Sequence, residues 1–228
     1  MKYNLLATLV IIALGINTIH AQDPSEDEFG AWYIIATNNT ISDKISIQAQ
    51  TQFRFYELAS ELQQFKIRLG GTYRFSEKVS AALGYGYFRN DPSYMLEMPE
   101  NFDEHRLVTD VNFFGSIGAV KLRHRYRMEN RFFSNDIDPS TWLRYMLKLS
   151  YPINAKWTID LYDEVFLNVE QPVFAQNWIG AGLTYAIADA IKTRIGYQKI
   201  QFEGADFDRL LVGITVSTDF RKNETNKN

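Results

Sequence analysis

Residues 121–131 read KLRHRYRMENR, with one Lys, four Arg, one His and one Glu in a single short run. Such a density of cations could hold phosphate groups or nucleic acid. The spacing argues for something else. Lys121, Arg123, Arg125, Arg127, Glu129 and Arg131 occupy odd positions, while Val120, Leu122, His124, Tyr126 and Met128 occupy even ones. Successive side chains of an extended chain point to opposite faces, so this stretch carries one charged face and one mostly apolar face. The whole chain has a formal charge of −3. That speaks against a general nucleic-acid binder, because phosphate-backbone affinity comes from positive excess.

Other groups suited to chemistry are few. The chain has no Cys, which excludes thiolate metal sites, a Cys nucleophile and an acylated Cys anchor. His105 and His124 both fall on apolar faces. His124 is expected near Thr109 across a hairpin, and an outward His beside a hydroxyl could act on a lipid; an ordinary apolar-face histidine is the simpler reading. Adjacent Asp163 and Glu164 point to opposite faces. Glu164 then joins Asp160 on the polar side, and Asp163 faces outward unless a bulge shifts the register. Facing carboxylates could do acid–base work, but pairing with interior Arg is the simpler role. Asp136 and Asp138 in NDIDP give a weak calcium signal. Asp91, Glu97, Glu100 and Asp103 on the segment 90–103 could contact ligands without being diagnostic. No catalytic residue, metal ligand or cofactor is assigned.

The elements that carry these residues share one texture. In KISIQAQTQFRF, Ile45, Ile47, Ala49, Thr51, Phe53 and Phe55 alternate with Ser46, Gln48, Gln50, Gln52 and Arg54. QFKIRLGGTYRF sets Phe65, Ile67, Leu69 and Tyr73 against Lys66, Arg68 and Arg74, and WLRYMLKLSY sets Leu143, Tyr145, Leu147 and Leu149 against Arg144 and Lys148. A period of two predicts strands, near 29–38, 44–56, 63–75, 79–89, 104–115, 119–132, 141–151, 157–168, 176–187, 191–202 and 207–220. Tight connectors (76–78, 116–118, 154–156, 188–190) alternate with longer ones (90–103, 134–140, 170–174). Short turns at one end and long loops at the other predict an all-β, up-and-down antiparallel transmembrane β-barrel. The raw count is eleven strands. A chain with both ends on one side of a membrane needs an even number, so ten or twelve is the expectation, with residues 29–38 failing to cross or one hairpin misread.

The chain opens MKYNLLATLVIIALGINTIHAQ, with Lys2, an apolar run from Leu5 to Ile16 and the small residue Ala21. This predicts a secretory signal over 1–21, since the run falls short of the roughly 20 apolar residues of a spanning helix. An acidic leader (22–28), the barrel (29–220) and a polar tail (221–228) follow. Aromatic residues near strand ends, among them Tyr73, Phe75, Tyr85, Tyr87, Tyr151, Trp157 and Tyr185, are what bilayer borders select. The charged faces must then point into the lumen, because Arg or Lys facing lipid at midplane costs about 2–4 kcal/mol.

Trp32, QFRF (52–55), LGYGY (83–87), RHRYRMENR (123–131), LRYMLKLSYPI (143–153), YDEVFLN (162–168), NWIGAGLTY (177–185) and IGYQ (195–198) together resemble the domain-of-unknown-function family numbered 2490. The likeness implies an outer-membrane β-barrel and brings no catalytic residues.

The expected lumen charge network comprises Arg54, Lys66, Arg68, Arg74, Glu104, Arg106, Asp110, Lys121, Arg123, Arg125, Arg127, Glu129, Arg131, Arg144, Lys148, Asp160, Glu164, Lys192, Arg194 and Arg209, more cations than anions. An ion-pair network filling a narrow barrel and a pore or cavity favouring small anionic solutes both remain open. About ten to twelve strands disfavour a wide porin, which needs 16–18. The expected location is the outer membrane, as a monomer contacting its lipid, with the last strand, RLLVGITVSTDF, offered to assembly machinery and no nucleic-acid partner. A lipid-modifying barrel enzyme and a soluble periplasmic ligand-binding barrel stand as alternatives.

Overall fold

Alternation at period two gives a strand one polar and one apolar face, and eleven such strands form in chain order. They are β1 (Gly30–Thr40), β2 (Ile45–Phe55), β3 (Leu62–Arg74), β4 (Val79–Asn90), β5 (Phe102–Ile117), β6 (Val120–Phe133), β7 (Ser140–Pro152), β8 (Trp157–Asn168), β9 (Phe174–Ala188), β10 (Ile191–Gln201) and β11 (Asp206–Asp219). These come from a computed structural model that describes residues 24–95, 101–170 and 172–223. The expected signal at 1–21, Glu97, Glu100 and the end of the tail lie outside the described residues.

Each strand pairs with its sequence neighbour, and β1 pairs with β11, so the sheet closes into a barrel. The expectation of ten or twelve strands is corrected to eleven. Residues 30–40 form a full strand, and among the described residues no further hairpin forms. A ring of alternating directions with an odd number of members must repeat a direction once. That repeat is the β1–β11 seam, which is parallel, with Gly30 opposite Arg209 and Thr40 opposite Asp219. Closure satisfies the edge groups that an open sheet leaves unpaired.

The odd number puts the described chain ends at opposite rims. The long connectors β2–β3, β4–β5, β6–β7 and β8–β9 share one rim with the start of β1, where a short 3-10 turn (Pro24–Glu26) buries Ser25. The tight turns share the other rim with the end of β11. There Arg221 donates to Asp219 at 2.6 Å and to Asp43 of the β1–β2 turn at 2.5 Å, clasping the seam. These hydrogen bonds hold its guanidinium above its ordinary pKa.

The apolar faces lie outside. Leu69, Leu83, Ile195 and Leu161 are each more than half exposed. Outward aromatics gather toward both rims, Trp157 against Tyr185 and Tyr73 against Phe75 near the tight turns, Phe53 against Phe65 and Phe29 against Tyr197 near the long loops. The buried core is therefore the lumen, where Phe166, Val108, Trp32 and Leu211 lie among charged side chains.

Candidate functional site: a charged layer between two cavities

Register decides which lumen charges meet. Asp110 on β5 stands opposite Arg127 on β6, which stands opposite Arg144 on β7. Arg127 grips Asp110 with two hydrogen bonds, Nε to Oδ1 at 2.6 Å and Nη2 to Oδ2 at 2.8 Å. Arg106 grips Glu104 the same way, at 2.7 and 2.8 Å, and reaches Glu129 with Nη1 at 3.0 Å. Arg144 bridges Glu129 (2.7 Å) and Glu164 (2.8 Å), and Arg125 also donates to Glu164 at 2.6 Å. Arg131 donates to Glu104 at 2.5 Å, and Arg68 reaches Asp110 from β3 at 3.3 Å. Paired guanidinium–carboxylate forks are the strong form of hydrogen bond, and Glu104, Glu129 and Glu164 are almost wholly buried. The result is a continuous layer of ion pairs linking β3 with β5, β6, β7 and β8. A smaller group sits nearer the tight turns, where Asp160 accepts from Arg194 at 2.7 Å and from Lys148 at 3.2 Å, and Arg123 donates to Asn112 at 2.9 Å.

Three residues expected in the network stand apart from it. Arg74, Lys121 and Lys192 are exposed at the tight-turn ends of β3, β6 and β10. Each lies on the lumen-facing register, but next to the tight turn the side chain reaches water. Arg209 is buried, yet pairs with main chain instead of carboxylates, its Nη1 donating to the carbonyls of Glu28 (3.2 Å) and Asp208 (2.9 Å).

Like Arg123, whose contact is the amide of Asn112, two more lumen cations have no acidic partner among the described residues. Among the described residues neither Arg54 nor Lys66 has a carboxylate within ion-pair distance. The Arg54 guanidinium lies 3.7 Å above the Trp32 ring, and the Lys66 ammonium stands 5.9 Å from the ring of Phe88. Stacking recurs along this level, with Arg106 over Phe88, Arg144 over Phe166 and Arg131 over Trp142.

The layer separates two cavities. One of about 380 Å³ opens toward the long-loop rim and carries Trp32, Trp178, Phe88, Arg54 and Lys66 on its walls. The other, about 300 Å³, faces the tight turns and is lined by Gln48, Gln50, Thr72, Arg123 and Arg125. Arg68 and Arg127 line both.

Small residues opposite the charged wall make room for it. Gly180 stands opposite Tyr162, and a Cβ there would come within 2.6 Å of the Tyr162 hydroxyl, which is anchored on Gln198 at 2.5 Å. Gly84, Gly86, Gly182 and Gly196 take the same inward register. The glycines in LGYGY, NWIGAGLTY and IGYQ are therefore packing positions, a signal that periodicity alone does not reveal.

Of the remaining candidates, Asp91 lies at the mouth of the larger cavity, and the others described fall outside the lumen. His124 stands opposite Phe113 and hydrogen bonds Tyr145 at 2.8 Å; Thr109 stands opposite Met128, so the expected His124–Thr109 proximity is not formed. His105 stacks on Tyr85. Asp163 is exposed on the outer face, because the irregularity in β8 falls later, between Phe166 and Leu167. Asp136 and Asp138 are exposed on their loop. Among the described residues no group of three or more His, Asp or Glu is placed to hold a metal ion.

No curated relative matches this chain. One family, described as proteins of unknown function and designated DUF2490, matches residues 29–210, and with this span covering nearly all of the barrel the chain belongs to that family.

Proposed function

We propose that the protein is an exported outer-membrane β-barrel whose lumen is closed to bulk solute by the ion-pair layer. One observation carries this reading. Polarity is inverted relative to a water-soluble barrel, with Glu104, Asp110, Arg127 and Glu129 buried inside and Leu69, Leu83, Leu161 and Ile195 exposed outside. An aqueous surface of that composition would be an aggregation hazard, whereas acyl chains solvate it. Strands of 11 to 16 residues reach or exceed the roughly 9–11 needed to span a bilayer, and the two outward aromatic bands suit its borders.

Tight turns of such barrels face the periplasm and long loops face outward. The odd strand number then puts the start of β1 on the external side and the end of β11 on the periplasmic side. Envelope fractionation with detergent-phase partition tests the location: recovery of the mature chain in the aqueous phase would leave a soluble ligand-binding barrel instead.

A second reading draws on the two cavities that share Arg68 and Arg127. If those side chains swing aside, the path between the cavities is short and cationic, which describes a narrow anion-selective pore. Planar-bilayer recording separates the readings, since the closed barrel gives no current steps above background and the pore gives steps that favour anions. No arrangement among the described residues favours the lipid-modifying enzyme.

A further inference from the structure

We infer that the cavity at the long-loop rim is a binding site for a small organic anion with a flat apolar body, an aromatic carboxylate in chemical class. The inference rests on the closed-lumen reading in one respect only: the ion-pair layer supplies the floor of the site.

Charge selects the anionic half of the ligand. The acids of the layer are committed to Arg106, Arg127, Arg131 and Arg144. Arg54 and Lys66 remain above them on adjacent strands, without a carboxylate partner among the described residues; Arg54 Nη2 donates to Gln52 at 3.3 Å and its Nε is buried without a partner among those residues. Both cations line the cavity, burying charge without an opposite partner is costly, and a ligand carboxylate is the group that would pair with them.

The walls select the other half. Trp32 and Trp178 meet edge to face with ring centroids 5.1 Å apart, and Trp178 lies 4.5 Å from Phe166. Such walls favour a flat ring by stacking and by apolar burial. Inorganic anions would use the cations and leave the rings idle; neutral aromatics would do the reverse. The volume of about 380 Å³ falls within the range of small-molecule sites, roughly 300–1,000 Å³. Rim residues Ser25, Asp91 and Phe202 at its mouth place the entrance on the long-loop side.

The test is isothermal titration of the full mature chain, folded in detergent, with 2-naphthoate, its neutral isostere 2-naphthamide and inorganic phosphate. Saturable one-site binding of naphthoate is expected, with naphthamide and phosphate each weaker by about tenfold or more. Arg54→Gln and Lys66→Met are each expected to lower naphthoate affinity by roughly tenfold to a hundredfold and to leave naphthamide unchanged. Equal affinity for naphthoate and naphthamide, or non-saturable uptake alone, overturns the proposal; phosphate binding as tightly as naphthoate overturns its aromatic half. Should Arg54→Gln fail to fold, Lys66→Met and the ligand comparison on the unaltered chain decide. Conductance is read separately. A conducting barrel that still discriminates the two naphthyl ligands sinks the plug and keeps the site, and a silent barrel that does not discriminate sinks the site and keeps the plug.

Discussion

Replacing Glu129 by Gln removes one negative charge from the centre of the lumen and changes the side chain's shape very little. The carboxylate is almost wholly buried and accepts from Arg144 at 2.7 Å, Arg106 at 3.0 Å and Arg127 at 3.5 Å. Breaking a buried ion pair by removing one partner costs about 3–5 kcal/mol, because the charge left behind is uncompensated. Here each arginine keeps a second acid, Glu164 for Arg144, Glu104 for Arg106 and Asp110 for Arg127. That residual pairing puts the expected loss at the lower end, about 3 kcal/mol. Equilibrium urea unfolding in lipid vesicles, followed by tryptophan fluorescence, reads the difference directly. The double variant Glu129→Gln/Arg144→Gln isolates the 2.7 Å contact, and a coupling of about 1–3 kcal/mol is expected for groups in one network. A Glu129→Gln protein within about 0.5 kcal/mol of the parent, the range of an ordinary surface substitution, would refute the claim that the layer is a dry, committed ion-pair network.

Gly180→Ala is expected to destabilise by about 1–3 kcal/mol through overpacking against Tyr162, and Tyr162→Ala in the same chain should recover part of that loss in the same unfolding assay. Asp163→Leu is expected to stabilise the vesicle-inserted protein by up to about 2 kcal/mol, since an exposed carboxylate midway along β8 would face acyl chains; a loss of stability would argue against lipid at that face. Protease-cleavable tags placed after Ala21 and after Asn228 should be cut from opposite sides of the membrane, the first in intact cells and the second only after the outer membrane is permeabilised. Burial, and next its hydrogen bond to Glu57, raise the Tyr94 phenol from its ordinary value of 10.0 to about 12. A raised folded-state value means that this tether between the β2–β3 and β4–β5 loops is intact below pH 10 and is lost as pH rises through about 12. Ultraviolet difference titration of the protein against Tyr94→Phe checks the midpoint.

The period of two was sufficient to place the strands within a few residues and to separate charged from apolar faces, because neighbouring Cβ atoms must point to opposite sides of a pleated chain. The tight and long connectors likewise followed from local composition. Strand parity did not, since only the meeting of β1 with β11 reveals that the seam runs parallel. Which acid meets which arginine depends on register between strands: Glu129 finds Arg106, Arg127 and Arg144 on three different strands, and no local pattern ranks those partners. Nor does a run of residues distinguish Arg125, half-buried and paired with Glu164, from Lys121, four positions earlier and in water at the rim, because depth along the barrel axis is set by closure. The unpaired state of Arg54 and Lys66 and the cavity above them are tertiary facts for the same reason. Alternation tells each side chain which way to face, and only the closed sheet decides what it finds there.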